Sequence, residues 1–172
     1  WMKLGTPGVI TKTGWVPISG SNWINVQGFG ALGDDTTDNA TAFAALSTAV
    51  NASTTIPTVY FPAGTYKYSS GLTFTREVQL LGDLGATLNY TGSGKAITMG
   101  PDGVTDMTYV NHLFYVVEGL TFTGGASMTH GLYFNDHITK PRIIRCHYVD
   151  FGNATAYGIF CQSNNWDTYI DR

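Results

Sequence analysis

The chain has 172 residues, nine Lys and Arg against twelve Asp and Glu, and only 12% charged residues, about half the usual share for a soluble domain. Its 43% of hydrophobic residues is too high for a disordered chain, and it lacks the Glu, Lys and Leu runs of a helix bundle. No cluster of Lys or Arg offers electrostatic footing to a phosphate backbone, and the longest apolar runs, such as 113–117, are far too short to span a bilayer. Nucleic-acid binding and membrane insertion are therefore excluded.

Residues 1–23 are irregular, with Gly5, Pro7, Gly8, Gly14, Pro17 and Gly20 separating short apolar pairs. They read as a neck or linker segment carrying Trp1, Trp15 and Trp23, and the opening Trp1-Met2 predicts a native N-terminus further upstream, with no signal-peptide pattern in residues 1–9. The second unit spans 24–172. A loosely alternating strand is expected over 24–31, broken by Gly30 and Gly33. A helix follows over 38–51, where Phe43, Leu46 and Val50 recur at i, i+3 and i+7, and Ala42, Ala45 and Ala49 widen the apolar stripe. Thr37 or Asp38 is placed to cap it, and Asp34, Asp35 and Asp38 suit its positive end.

After Pro57 the pattern is strand after strand: Val59-Tyr60-Phe61, Tyr66-Lys67-Tyr68, Leu72-Thr73-Phe74, Val78-Gln79-Leu80-Leu81 and 86–90, each gap carrying Gly, Asp, Asn or Ser. From residue 113 the strands repeat. Val117 to Phe122 overlays Ile143 to Tyr148 (143 − 117 = 26), Gly131 to Phe134 overlays Gly158 to Cys161 (158 − 131 = 27), and Ile170 falls over Ile144 (170 − 144 = 26). Such a period with two or three short strands per unit indicates stacked coils of a solenoid. The helix at 38–51 is expected to close the N-terminal end, hiding strand edges. Nothing closes the other end, so the polypeptide is expected to continue beyond Arg172. Cys146 and Cys161 occupy different phases of the repeat and are expected to be buried free thiols.

Two stretches carry a family resemblance. Val26-Gln27-Gly28-Phe29-Gly30-Ala31-Leu32-Gly33-Asp34-Asp35-Thr36-Thr37-Asp38-Asn39-Ala40-Thr41-Ala42-Phe43 resembles the entry motif of the pectate-lyase superfamily, and Val59-Tyr60-Phe61-Pro62-Ala63-Gly64-Thr65-Tyr66 its next signature. Val78-Gln79-Leu80-Leu81-Gly82 and Glu118-Gly119-Leu120-Thr121-Phe122 fit its later coils. Asn39 departs from the pattern, which usually repeats Asp there. The resemblance covers roughly 24–171 and implies an all-β fold: a right-handed, single-stranded parallel β-helix with one N-terminal capping α-helix.

Members of this family include secreted polysaccharide lyases and hydrolases and the tailspikes of bacteriophages. Tailspikes carry such a domain behind an N-terminal particle-binding part and a neck. The neck-like 1–23 and the unnatural start favour the tailspike, so the resemblance implies a virion protein of the phage tail that binds and depolymerises a bacterial surface polysaccharide. It also implies a homotrimer that joins other virion tail proteins through its N-terminal side, with no cofactor. A secreted lyase or glycoside hydrolase and a non-catalytic adhesive β-helix are the alternatives.

Glycan cleavage needs two carboxylates across a groove or a base beside an acidified C–H, and the family usually places these on outward faces of the middle coils, beyond the three expected here. Asp136 with His137 is the pair that suits acid–base work, against a plain reading as a polar turn. Alternation points Leu120, Phe122, Cys146 and Tyr148 inward and Thr121 and His147 outward. Tyr133, Tyr157, Phe160, Trp166 and Tyr169 form an aromatic group able to stack on sugar or to pack the coils, with Trp166, Tyr157 and His147 the candidates for substrate binding. Lys140 and Arg142 flank Pro141. His112 and His130 lack metal-site spacing, and Asp34, Asp35 and Asp38 read as an acidic helix start rather than a metal site.

Overall fold

The computed structural model describes residues 22–101, 115–135, 138, 140–162 and 168–171. In chain order it contains β1 (Trp23–Asn25), a 3₁₀ turn (Val26–Phe29), α1 (Ala40–Asn51), β2 (Thr58–Phe61), β3 (Gly64–Tyr68), β4 (Leu72–Phe74), β5 (Val78–Gly82), β6 (Ala86–Tyr90) and β7 (Gly94–Met99). There follow β8 (Tyr115–Glu118), β9 (Thr121–Gly124), β10 (Met128–Phe134), β11 (Arg142–Ile144), β12 (His147–Phe151), β13 (Tyr157–Cys161) and β14 (Tyr169–Asp171). The strands form three sheets, ordered β1-β2-β5-β8-β11-β14, β3-β6-β9-β12 and β4-β7-β10-β13, and every pairing is parallel. Each turn of chain contributes one strand to each sheet, which is a parallel β-helix. Among the described residues it contains four complete coils, β2–β4 to β11–β13, one more than the sequence repeat suggested.

The interior is built from columns of like side chains, because period-2 alternation sends every second residue inward and parallel register stacks them. Ile24, Val59, Leu80, Val117, Ile143 and Ile170 form one column. Tyr66, Leu88, Phe122 and Tyr148 form a second, in which the last two rings stack at 5.1 Å. Leu72, Ile97, Leu132 and Ile159 form a third. The 26- and 27-residue offsets hold at Val117–Ile143 and Leu132–Ile159. The third overlay is corrected by one residue: Ile170 pairs with Ile143, not Ile144. A one-residue slip would have sent Ile170 to the opposite face. The earlier coils do not share the sequence repeat because their spacing changes, from Val59–Leu80 (80 − 59 = 21) to Leu80–Val117 (117 − 80 = 37).

The strand expected over 24–31 ends at Asn25. There the Asn25 side chain accepts a bond from the Gln27 N–H and Val26 turns into the buried end of the core. The helix begins at Ala40, two residues later than expected, and its buried stripe is Phe43, Leu46 and Val50, while Ala45 is exposed. Phe43 lies against Phe61, Tyr66 and Tyr68, so the helix covers the rings of the first coil. Neither Thr37 nor Asp38 occupies the N-cap, which is Asn39, although Asp38 Oδ1 accepts the Ala40 N–H.

The cap also satisfies the open edges of the first coil. The Asp35 and Asn39 N–H groups donate to Thr65 and Lys67 carbonyls on β3, and the Thr65 N–H donates to Gly33. On β4, Ser47 and Asn51 side chains donate to the Thr73 carbonyl, and Asn51 Oδ1 accepts the Thr75 N–H. Unpaired strand edges invite association with other chains, and these edges are occupied. At the short turn between the first two sheets, Gly119 takes a φ of 69° with its backbone against Gly82, where a Cβ would meet the Gly82 oxygen at 2.7 Å. One coil later Arg145 holds the same left-handed conformation, φ 49°, with its guanidinium paired to Glu118.

Candidate functional site

On the third sheet, outward positions of β7, β10 and β13 fall into register: Lys95 beside His130 beside Tyr157, and Thr98 beside Tyr133 beside Phe160. Parallel strands lie about 4.8 Å apart, which is ring-stacking distance. His130 accordingly stacks on Tyr157 (5.4 Å, 18°) and Tyr133 on Phe160 (5.2 Å, 14°), with His130 edge-on to Tyr133 at 5.0 Å and to Phe160 at 4.9 Å. A bulge between Met128 and His130 turns Thr129 out to solvent, and its hydroxyl lies 2.8 Å from His130 Nδ1.

The rim of this ladder is polar. Lys95 Nζ sits 3.2 Å from the Tyr133 ring centroid, on the face opposite Phe160 since β7 and β13 flank β10, so both faces of Tyr133 are covered. The Tyr133 hydroxyl donates to Gln162 Oε1 at 2.8 Å. Burial, and then the charge of Lys95, hold the His130 imidazole below its ordinary pKa, so it is neutral at pH 7. Tyr157 is the most open of the four rings, at 55%. Rigid rings with ammonium, imidazole, phenol and amide groups at their edges match a sugar, which presents C–H patches beside hydroxyls. None of β4, β7, β10 and β13 contains Asp or Glu, so among the described residues these strands carry no carboxylate acid or base.

Of the residues singled out from sequence, Tyr157 joins the ladder together with Tyr133 and Phe160. His147 is exposed on β12, paired with Thr121 on a different sheet, and is not part of it. Tyr169 is on a third surface, beneath the Arg142 guanidinium at 5.5 Å. Asp136, His137, Trp166 and His112 lie outside the described residues. Lys140 is exposed, beside buried Pro141. Cys146 and Cys161 are free and half-buried rather than fully buried, and burial pushes both thiols up.

The acidic loop is consumed by its own geometry. Asp34 accepts the Thr36 and Thr37 N–H groups and the Thr37 hydroxyl, which pull its pKa to about 2, and Asp35 accepts from the Asn89 amide at 2.8 Å. Among the described residues no three His, Cys, Asp or Glu gather as a metal site. Lys95 and His130 were the residues missed from sequence. They stand 35 apart (130 − 95 = 35), across the coil whose spacing departs from the repeat, and only the sheet register brings them together.

The sequence model of the family described as rhamnogalacturonase A/epimerase, pectate lyase-like, matches residues 23–114, more than half of the chain. No curated protein matches. Among solved structures, ORF18 of Geobacillus virus E2 aligns with a TM-score of 0.51 and 19% identity over 83% of this chain, which spans 39% of that protein's length. A Parabacteroides merdae protein proposed to be a glycosyl hydrolase aligns at a TM-score of 0.41, with 12% identity over 87% of this chain and 93% of its own. At these identities the likeness to the virus protein is one of fold.

Proposed function

Because the chain belongs to the rhamnogalacturonase A/epimerase, pectate-lyase-like family, we propose that it is part of a phage tailspike that binds, and in its full length depolymerises, a bacterial surface polysaccharide. The observation that carries the reading is the outward ladder of His130, Tyr133, Tyr157 and Phe160 with Lys95 at its edge. A row of rigid rings running along the coils suits a polymer better than a single small molecule. The shared fold with a virus protein supports the virion assignment. The homotrimer and the attachment to other tail proteins through the N-terminal side belong to the same proposal.

The ladder strands are assigned a holding role, because among the described residues they have no carboxylate to protonate a leaving group. Cleavage is assigned to groups off these four strands. The test is affinity electrophoresis of the chain through gels containing bacterial capsular polysaccharides. Retardation by at least one polysaccharide is expected, with Tyr157→Ala weakening it about tenfold. Retardation that Tyr157→Ala and Phe160→Ala both leave unchanged would overturn the placement of the site.

A further inference from the structure

We infer that Lys95 and His130 form a proton-gated clamp for an anionic substituent of the glycan, open while the imidazole is neutral and closed once it is protonated. The inference rests on the ladder being the glycan-facing surface. The two residues are register partners on adjacent outward strands, and both meet Tyr133, Lys95 Nζ 3.2 Å over its ring and the His130 imidazole edge-on at 5.0 Å. Among the described residues the groups facing His130 are Lys95 from β7, Thr129 and Tyr133 from β10, and Tyr157 and Phe160 from β13. Among these side-chain types the imidazole is the one whose ordinary titration falls between pH 5 and 8.

Protonation would let Nδ1–H donate to the Thr129 hydroxyl and leave Nε2–H as a second donor, while the stacked Tyr157 ring stabilises the cation. Lys95 opposes that protonation, and β4, β7, β10 and β13 supply no carboxylate to offset it. A bound anion would do so. Proton and anion therefore bind cooperatively, and by linkage each raises the affinity for the other. Anion affinity rises as pH falls, because the complex takes up a proton that the free protein lacks at neutral pH.

The experiment measures binding of the chain by titration calorimetry between pH 5 and 8. The probes are a uronic-acid hexasaccharide, its carboxyl-reduced neutral counterpart, and the sulfated form of that neutral sugar. An anionic probe is expected to bind roughly tenfold more tightly at pH 5 than at pH 7.5, one proton being coupled to binding, while the neutral probe stays flat. Whichever of carboxylate and sulfate shows this rise identifies the substituent. His130→Phe, which keeps a ring but loses the proton, is expected to flatten the profile, and Lys95→Met to weaken the anionic probe at every pH. The His130 ring resonances in NMR are expected to titrate at higher pH when the anion is bound. Equal, pH-independent binding of all three probes would overturn the clamp and leave the ladder standing. Binding of none of them at any pH would overturn the ladder reading itself.

Discussion

Replacing Asn39 tests how the N-terminal cap is joined to the first coil. The side chain is 1% exposed. Its Oδ1 accepts the Leu32 N–H at 2.7 Å, and its Nδ2 donates to the carbonyls of Leu32, Thr37 and Lys67 at 3.0, 3.2 and 3.0 Å. The amide NH₂ has two hydrogens for these three carbonyls, so with the Oδ1 bond the side chain is worth about three full bonds, about 3 kcal/mol at about 1 kcal/mol each. The Lys67 carbonyl keeps the Asn39 backbone N–H, and Leu32 and Thr37 are exposed enough for water to replace part of the loss. Asn39→Ala is therefore expected to cost about 2–3 kcal/mol, or a fall in Tm of roughly 8 °C for a chain of this size. Asn39→Asp keeps the acceptor but turns an oxygen toward the three carbonyl oxygens that the amide had donated to. Burial and those oxygens raise its pKa in the fold, so its stability deficit is greatest at pH 7 and shrinks as pH falls toward the ordinary carboxylate range and the acid is protonated. The assay is urea and thermal unfolding of wild type and both variants from pH 7 to pH 4. An Asn39→Ala loss below about 1 kcal/mol, or an Asn39→Asp variant as stable as wild type at pH 7, would refute the reasoning.

Asp34 has the opposite sign. Its pKa, lowered from the ordinary 3.8 to about 2 by the Thr37 and Thr36 bonds, makes its contribution present above about pH 4 and lost as pH falls through 2. The Tm gap between wild type and Asp34→Ala is expected to be constant from pH 7 to 5 and to narrow as pH falls below about 4 toward 2, and a gap that widens in acid would contradict the assignment. Among the described residues the buried Tyr68 and Tyr148 hydroxyls have no hydrogen-bond partner, and burial raises both phenols. Removing an unsatisfied hydroxyl while keeping the ring is expected to leave stability unchanged or raise it by up to about 1 kcal/mol, so Tyr68→Phe and Tyr148→Phe should not lower the denaturation midpoint. A drop greater than about 1 kcal/mol in either would show that the hydroxyl has a partner.

What the sequence determined by itself was local. Phe43, Leu46 and Val50 at helical spacing mark the buried stripe of α1, because one apolar face has to be covered whatever covers it. Val117 and Leu120 to Phe122 against Ile143 and Cys146 to Tyr148 mark a repeating coil, because equal spacing gives equal register. The resemblance at 26–43 and 59–66 named the architecture. Tertiary structure decided the rest. Asn39 reads in sequence as a residue of a helix start, yet its amide joins Leu32, Thr37 and Lys67, and Lys67 is brought near only by the first coil. Ile170 was placed one residue off because a register is a property of two strands and not of either alone. Lys95, His130 and Tyr157 share no motif and no common spacing. They became neighbours because each faces outward at the same height of stacked strands, and the separation between such residues in sequence is set by the lengths of the turns between them.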